Sequence, residues 1–177
     1  MRFESDKLIH KGRVTELHVV GVPMKDGSVI DRELVLYGSA AVILPLREDG
    51  TVVMIRNWRF AVQERLLELP AGRIAEGEEP AAGAHRDLAE ETGFTAGRME
   101  LLGWYYSAPG TSDEKMYAFL ATDLRPGPQK LERYEQIDLE PVRLENVKPM
   151  IADGSIHDAK TIAAFALYWM KAAGGSR

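Results

Sequence analysis

Ala71–Phe94 reads AGRIAEGEEPAAGAHRDLAEETGF. Pro80 suits the first position of a helix, Ala81, Ala84 and Leu88 recur at helical spacing, and Gly93 suits a left-handed stop. The stretch therefore predicts a glycine-bearing loop followed by a helix over about 80–92. On that helix Asp87 stands three residues before Glu90 and four before Glu91, so all three side chains leave one face. Like charges at that spacing repel by about a few tenths of a kcal/mol. Such a cluster is most often a solvated acidic face, but here the irregular loop ahead of it delivers a further acid, Glu78. A hard divalent cation is the natural compensation, because Mg²⁺ takes oxygen ligands and couples one or two carboxylates to substrate phosphates. The Ala71 carbonyl is a further oxygen donor, and Arg86, four residues before Glu90, is placed to orient that carboxylate.

Gly72, five residues, Glu78, seven residues and then RDLAEETGF resembles the Nudix box, G-x5-E-x7-R-E-U-x-E-E-x-G-U, with U an aliphatic or aromatic residue. One fixed position departs from it: Asp87 stands where the family has Glu, which keeps the charge and loses one methylene of reach. The resemblance implies an α+β fold of the Nudix type, an α/β/α sandwich with a mixed central sheet. It also implies hydrolysis of a nucleoside diphosphate linked to another group, with Mg²⁺ as cofactor and Mn²⁺ as the alternative ion. Carried over by position, the metal ligands fall on Asp87 and Glu91, with Glu90 and the Ala71 carbonyl assisting; Glu90 and Arg86 also enter the catalytic set, and Glu78 is structural.

The likeness extends over roughly residues 30–170. VVMIRNWRFAVQERLLELPAG resembles the segment before the box in ADP-ribose pyrophosphatases, which implies substrate contact by Arg59. SAPGTSDEK, with Pro109 sixteen residues after Gly93, resembles the SPG-x-x-x-E run of the same subfamily and places its acid at Glu114. The implied activity is hydrolysis of ADP-ribose to AMP and ribose 5-phosphate. A related sugar-nucleotide hydrolase of the GDP-mannose type and a non-catalytic nucleotide-binding module are the alternatives, the latter suggested by Asp87. The family's general base lies on a loop that corresponds to QKLERYEQIDLE, where Glu135 fits best and Glu132 second. Arg56 is read equally as an exposed strand end or a phosphate contact. Trp58, between the two arginines, points either into the core or toward an adenine; Phe3 and Tyr37 are the other stacking candidates.

Across the whole chain of 177 residues, 22 basic and 27 acidic side chains give a net charge of −5, so no broad positive field exists to attract nucleic acid. The absence of Cys excludes disulfides, thiolate metal sites and a cysteine nucleophile. His10, His18, His85 and His157 share no metal-ligand spacing, and no G-x-S-x-G elbow supports a serine mechanism. The start, MRFESDKLIH, is charged where a signal peptide is apolar, and no run reaches the roughly 18 apolar residues of a membrane span, so the expected compartment is the cytoplasm, without membrane partners.

The length fits one domain over 1–177, with an amino-terminal hairpin over 1–37 and a catalytic core over 38–177. Residues 3–20 and VIDRELVLY alternate on either side of KDGS, which predicts that hairpin; subfamily habit implies that it pairs two chains into a homodimer. SAAVILPL and TVVMIRNW predict core strands turned by REDG. MELLGWYYSA and KMYAFLATDL predict two more, IDLEPVRL a short one, and DAKTIAAFALYWMKAA a buried last helix.

Overall fold

The computed structural model describes residues 3–133 and 135–174. Contacts within the chain divide it into two compact units, one formed by the residues up to Ser39 with Tyr106–Lys115 and the other by Ala40–Tyr105 with Met116 onward.

The smaller unit carries an antiparallel sheet of order β1-β2-β3, with β1 over Ser5–Lys11, β2 over Glu16–Pro23 and β3 over Val29–Leu36. The alternation over 3–20 is thus two strands, because Gly12 donates to the Thr15 carbonyl (2.9 Å) and reverses the chain in the middle of it. KDGS makes the next turn, with Gly27 at φ 86 and the Ser28 carbonyl accepting from Met24 N–H at 2.8 Å. His18 lies between Asp6 (2.6 Å) and Glu16, and the Asp6 carboxylate holds the imidazolium above its ordinary pKa. β1 is exposed along its whole length.

The larger unit is an α/β/α sandwich. A four-stranded sheet runs in the order β7-β4-β9-β8 and a three-stranded one in the order β10-β5-β6. Their members are β4 (Ser39–Pro45), β5 (Thr51–Arg59), β6 (Glu64–Glu68), β7 (Ala71–Arg73), β8 (Phe94–Tyr106), β9 (Lys115–Pro126) and β10 (Ile137–Arg143). SAAVILP is apolar at nearly every position because β4 is covered on both faces. Ala41 and Ile43 meet Ala84, Leu88, Phe119 and Ala121, while Ala40, Val42 and Leu44 join the larger core with Met54, Leu67, Val147 and Phe165. REDG turns β4 toward β5 through Gly50, at φ 78, and the bond from Arg47 N–H to the Thr51 carbonyl.

Among the described residues the larger unit carries three helices, α1 (Pro80–Thr92), α2 (Leu144–Ala152) and α3 (Ala159–Gly174). Helix α1 has the expected bounds, with Pro80 at its start and Gly93 capping it at φ 74 through a bond to the Ala89 carbonyl. Asp158 caps α3 by accepting from the Thr161 N–H at 2.9 Å. Strands β6 and β7 are not among the strands that the sequence pattern predicts. No helix among the described residues is long and apolar enough to cross a membrane.

Candidate active site

Two faces of α1 separate by residue spacing. Ala84 and Leu88 enter the core, and Asp87 and Glu91, four apart, turn toward the strand that precedes the helix. There β7 passes so close that a Cβ on Gly72 would collide with the Asp87 carboxylate. Glycine at 72 is therefore what leaves room for an acid at 87. One residue earlier, the Ala71 N–H donates to Glu91 Oε2 at 3.0 Å and fixes the second acid against the same strand. The loop after β7 is closed by Glu78, which accepts from the Ala75 N–H (2.8 Å) and pairs with Arg86 (3.1 Å).

Arg86 holds this arrangement from outside. Its Nη1 reaches Asp87 Oδ1 at 2.5 Å, its Nη2 donates to the Arg73 carbonyl at 2.8 Å, and Glu90 stands farther off at 3.7 Å. The guanidinium thus orients Asp87 more closely than Glu90, because Glu90 is half exposed and Asp87 is buried against Gly72.

Asp87 and Glu91 are only 5% and 7% exposed, which makes their charged forms costly. Burial raises Asp87 to about 7 despite Arg86, with Glu90, Glu78 and Glu135 adding to the effect. Burial likewise raises Glu91 to about 8, opposed by the Ala71 N–H and Arg59 and reinforced by Glu135 and Asp87. Glu135 therefore stands within electrostatic reach of both acids. It belongs to the segment after β9, which is moored to the end of α1: the Gln129 side chain donates to the Glu91 carbonyl (2.6 Å) and the Lys130 N–H to the Glu90 carbonyl (2.9 Å). Glu135 also accepts from the Glu132 N–H at 2.7 Å, so Glu132 shapes the turn on which Glu135 sits.

Whether these residues suit a metal is decided by two observations. Asp87 Oδ2 is buried without a hydrogen-bond partner, an unsatisfied anionic oxygen of the kind that ordinary folding avoids. Asp87, Glu91 and the Ala71 carbonyl offer oxygen alone, and the chain has no Cys, which fits a hard divalent cation. Among the described residues no group of three or more His, Asp or Glu side chains converges into a closed cage. The site is thus an open pair of carboxylates, suited to an ion that also takes oxygens from a substrate.

The other candidates make contacts of their own. Arg59, at the end of β5, grips fully buried Glu68 through Nε (2.9 Å) and Nη2 (2.5 Å) and stands within electrostatic reach of Glu91. Arg56 forms a two-pronged pair with Glu140 at 2.5 and 2.8 Å, so it is an engaged strand residue rather than a loose end. Trp58 is 41% exposed and not in the core; β5 buries Asn57 instead. Glu114 belongs to the smaller unit, where it accepts from the Ser107 hydroxyl. Phe3 is exposed, and the Tyr37 N–H donates to Asp113 at 2.6 Å in that same unit. Sequence reasoning did not single out Glu68 or Lys160. A Glu inside the apolar run LLELP, where a charge is never placed without a partner, was the available signal.

The glycine-bearing strand, the acidic helix and the covered sheet match the NUDIX domain model over residues 36–165, and the chain belongs to the Nudix family. Within that family it is a pyrophosphohydrolase of the ADP-ribose pyrophosphatase-like kind. It is 32% identical over 165 residues to an ADP-ribose pyrophosphatase of Bacillus subtilis (strain 168), covering 92% of this chain and 88% of that one. It is also 32% identical over 150 residues to a GDP-mannose pyrophosphatase of Enterobacter sp. (strain 638), covering 78% of each. A crystal structure described as an ADP compounds hydrolase superposes with a TM-score of 0.87 at 22% identity, over 99% of this chain and 96% of the other, and shares the fold. Nudix hydrolases generally need a divalent metal, in keeping with the open carboxylate pair.

Proposed function

We propose that the chain hydrolyses the pyrophosphate bond of ADP-ribose to AMP and ribose 5-phosphate with Mg²⁺, Mn²⁺ being the alternative ion. The observation that carries this reading is the buried pair Asp87 and Glu91, set against Gly72 and Ala71, with the Glu135 loop moored to the same helix end. The relative named for ADP-ribose hydrolysis, which spans most of both chains, directs the choice of substrate.

Asp87 and Glu91 would hold the ion, with Glu90 and the Ala71 carbonyl assisting. A divalent ion there supplies neutralisation of the pyrophosphate charge and lowers the pKa of the attacking water. Glu135 takes the proton from that water, since it is the acid within reach of both buried carboxylates that does not itself lie on α1. The new oxygen–phosphorus bond forms as the bridging oxygen–phosphorus bond breaks, and the electron pair leaves with the departing phosphate. Arg86 keeps Asp87 aimed, and Glu132 sets the turn beneath Glu135. Arg59, at the end of β5, is assigned the contact with substrate, and Arg56 and Trp58 are the further candidates on the same strand.

Asp87 keeps the charge of the family's Glu and loses only reach, so the same ligand role is assigned to it. Hydrolysis of GDP-mannose is the second reading, favoured by the relative named for it. A module that binds nucleotide without cutting it has less support, because the chain retains Glu78, Arg86, Glu90 and Glu91 of the box. The exposed β1 edge supports pairing of the amino-terminal sheets in a homodimer, and the ligand is a nucleoside-diphosphate-linked small molecule in the cytoplasm.

A panel of ADP-ribose, GDP-mannose, UDP-glucose, dinucleoside polyphosphates and NADH, assayed with Mg²⁺, tests the assignment. The highest kcat/KM is expected for ADP-ribose. Preference for GDP-mannose would move the chain to the second reading, and nucleotide binding without Mg²⁺ or product would make it a binding module.

A further inference from the structure

Glu68 ends β6 and is fully buried, yet it carries a charge into an apolar run between Leu67 and Leu69. Two cations from different elements converge on it. From β5, Arg59 donates through Nε and Nη2, using one edge of its planar fork. From the first turn of α3, Lys160 Nζ reaches Glu68 Oε2 at 2.7 Å and Asp158 Oδ1 at 2.9 Å. A cation in the first turn of a helix opposes the helix dipole, so the position of Lys160 is set by these two carboxylates. The next residue, Thr161, is buried and accepts from the Leu69 N–H at 2.9 Å. The start of α3 thus clasps Glu68 and Leu69, two residues before Ala71 begins the strand that fixes Glu91.

We propose that Glu68 is a positioning residue for substrate binding, anchored by Lys160 of α3, which holds Arg59 so that the remaining edge of its guanidinium faces the phosphates. This rests on the reading above, in which Arg59 contacts substrate. The geometry supports it in three ways. Arg59 and Glu68 pair along neighbouring strands in which Arg59 stands opposite Glu64 and Glu68 opposite Ile55, so the guanidinium must reach back along β5 to meet Glu68. Both bonding nitrogens point to Glu68, which turns the Nη1 edge away from it. Arg59 also lies within electrostatic reach of Glu91 on the acidic helix. A buried charge pair is poor value for stability alone, whereas a guanidinium fixed before the ligand arrives loses less entropy on binding. Glu68 and Asp158 face Arg59 and Lys160, two carboxylates against two cations.

The test is a double-mutant cycle with Glu68→Gln, Arg59→Ala and the double variant, reading KM and kcat separately on the nucleotide sugar that the wild type turns over best. Glu68→Gln is expected to raise KM about tenfold with a smaller change in kcat, on the scale of a lost charge-assisted orienting contact. In the Arg59→Ala background it is expected to change KM by less than about twofold, since its effect passes through Arg59. Additive effects, or a fall in kcat alone, would overturn the proposal while leaving the hydrolase reading intact. A wild type inert toward every nucleotide sugar would overturn both. If Glu68→Gln does not fold, Lys160→Met replaces it in the same cycle and must show the same non-additivity.

Discussion

At the scale of single residues, the site is set by which groups lack space or partners. Gly72 yields its Cβ position to Asp87, and Asp87 in turn leaves Oδ2 unsatisfied. Gly72→Ala is therefore expected to displace the carboxylate and cost at least about a hundredfold in kcat/KM, comparable with losing one fixed electrostatic group. Glu91→Gln should cost about 10²–10³ in kcat for the same reason, while Asp87→Glu, which restores the family's residue, should leave activity equal or higher. Steady-state kinetics with ADP-ribose checks all three; loss of activity in Asp87→Glu would mean that the site is built around the shorter acid. The acids also predict a pH effect. Asp87 and Glu91 titrate near 7 and 8 when folded, against 3.8 and 4.5 ordinarily, so the folded chain binds protons more tightly than the unfolded one. Their contribution to stability therefore falls as pH rises from about 4 toward 8. In chelator, the melting temperature is expected to drop over that range, and Mg²⁺ should raise it more at pH 8 than at pH 5. An equal response to Mg²⁺ at both values would contradict this.

At the scale of elements, the acidic helix was legible because each of its signals is local. Pro80, the apolar spacing and Gly93 fix its ends, and spacing alone puts Asp87 and Glu91 on one face. The amino-terminal region was less legible: alternation runs through 3–20 without a break in pattern, and only Gly12 marks the turn that makes two strands of it. Strands β6 and β7 are short, and their identity depends on pairing with β5 and β4, which no local pattern encodes. Helical spacing puts Arg86 within 3.7 Å of Glu90, and the same guanidinium also meets the adjacent Asp87 at 2.5 Å, a contact that spacing does not reveal. Glu68 and Lys160 are 92 residues apart and could be joined only by the fold. The mooring of the Glu135 loop belongs to this scale too. Gly93, at φ 74, lies against the Gly127 carbonyl, and a side chain there would strain the cap and push the loop away. Gly93→Ala is expected to destabilise the fold by at least about 1 kcal/mol and to lower kcat as Glu135 shifts. Thermal denaturation and turnover measured together check it; lost stability with unchanged kcat would detach the loop's position from catalysis.

At the scale of the whole molecule, two compact units carry different loads. The larger one contains the acidic helix, the Glu135 loop and Arg59; the smaller one contains an antiparallel sheet whose outer strand has both faces exposed, with Leu8 and Ile9 at 49% and 48%. Exposed apolar residues on a bare strand edge invite pairing, so a homodimer is expected at micromolar concentration, and Leu8→Lys should shift it toward monomer. Light scattering that finds the unmodified chain monomeric would contradict this. The central claim, that the Asp87 and Glu91 pair with Glu135 forms a metal-dependent pyrophosphate-cleaving centre acting on ADP-ribose, is tested most directly by identifying products. With Mg²⁺, purified protein is predicted to convert ADP-ribose into AMP and ribose 5-phosphate in equal amounts, and Glu91→Gln to release almost none. Intact ADP-ribose after incubation with the wild-type chain, or equal product from Glu91→Gln, would contradict the account.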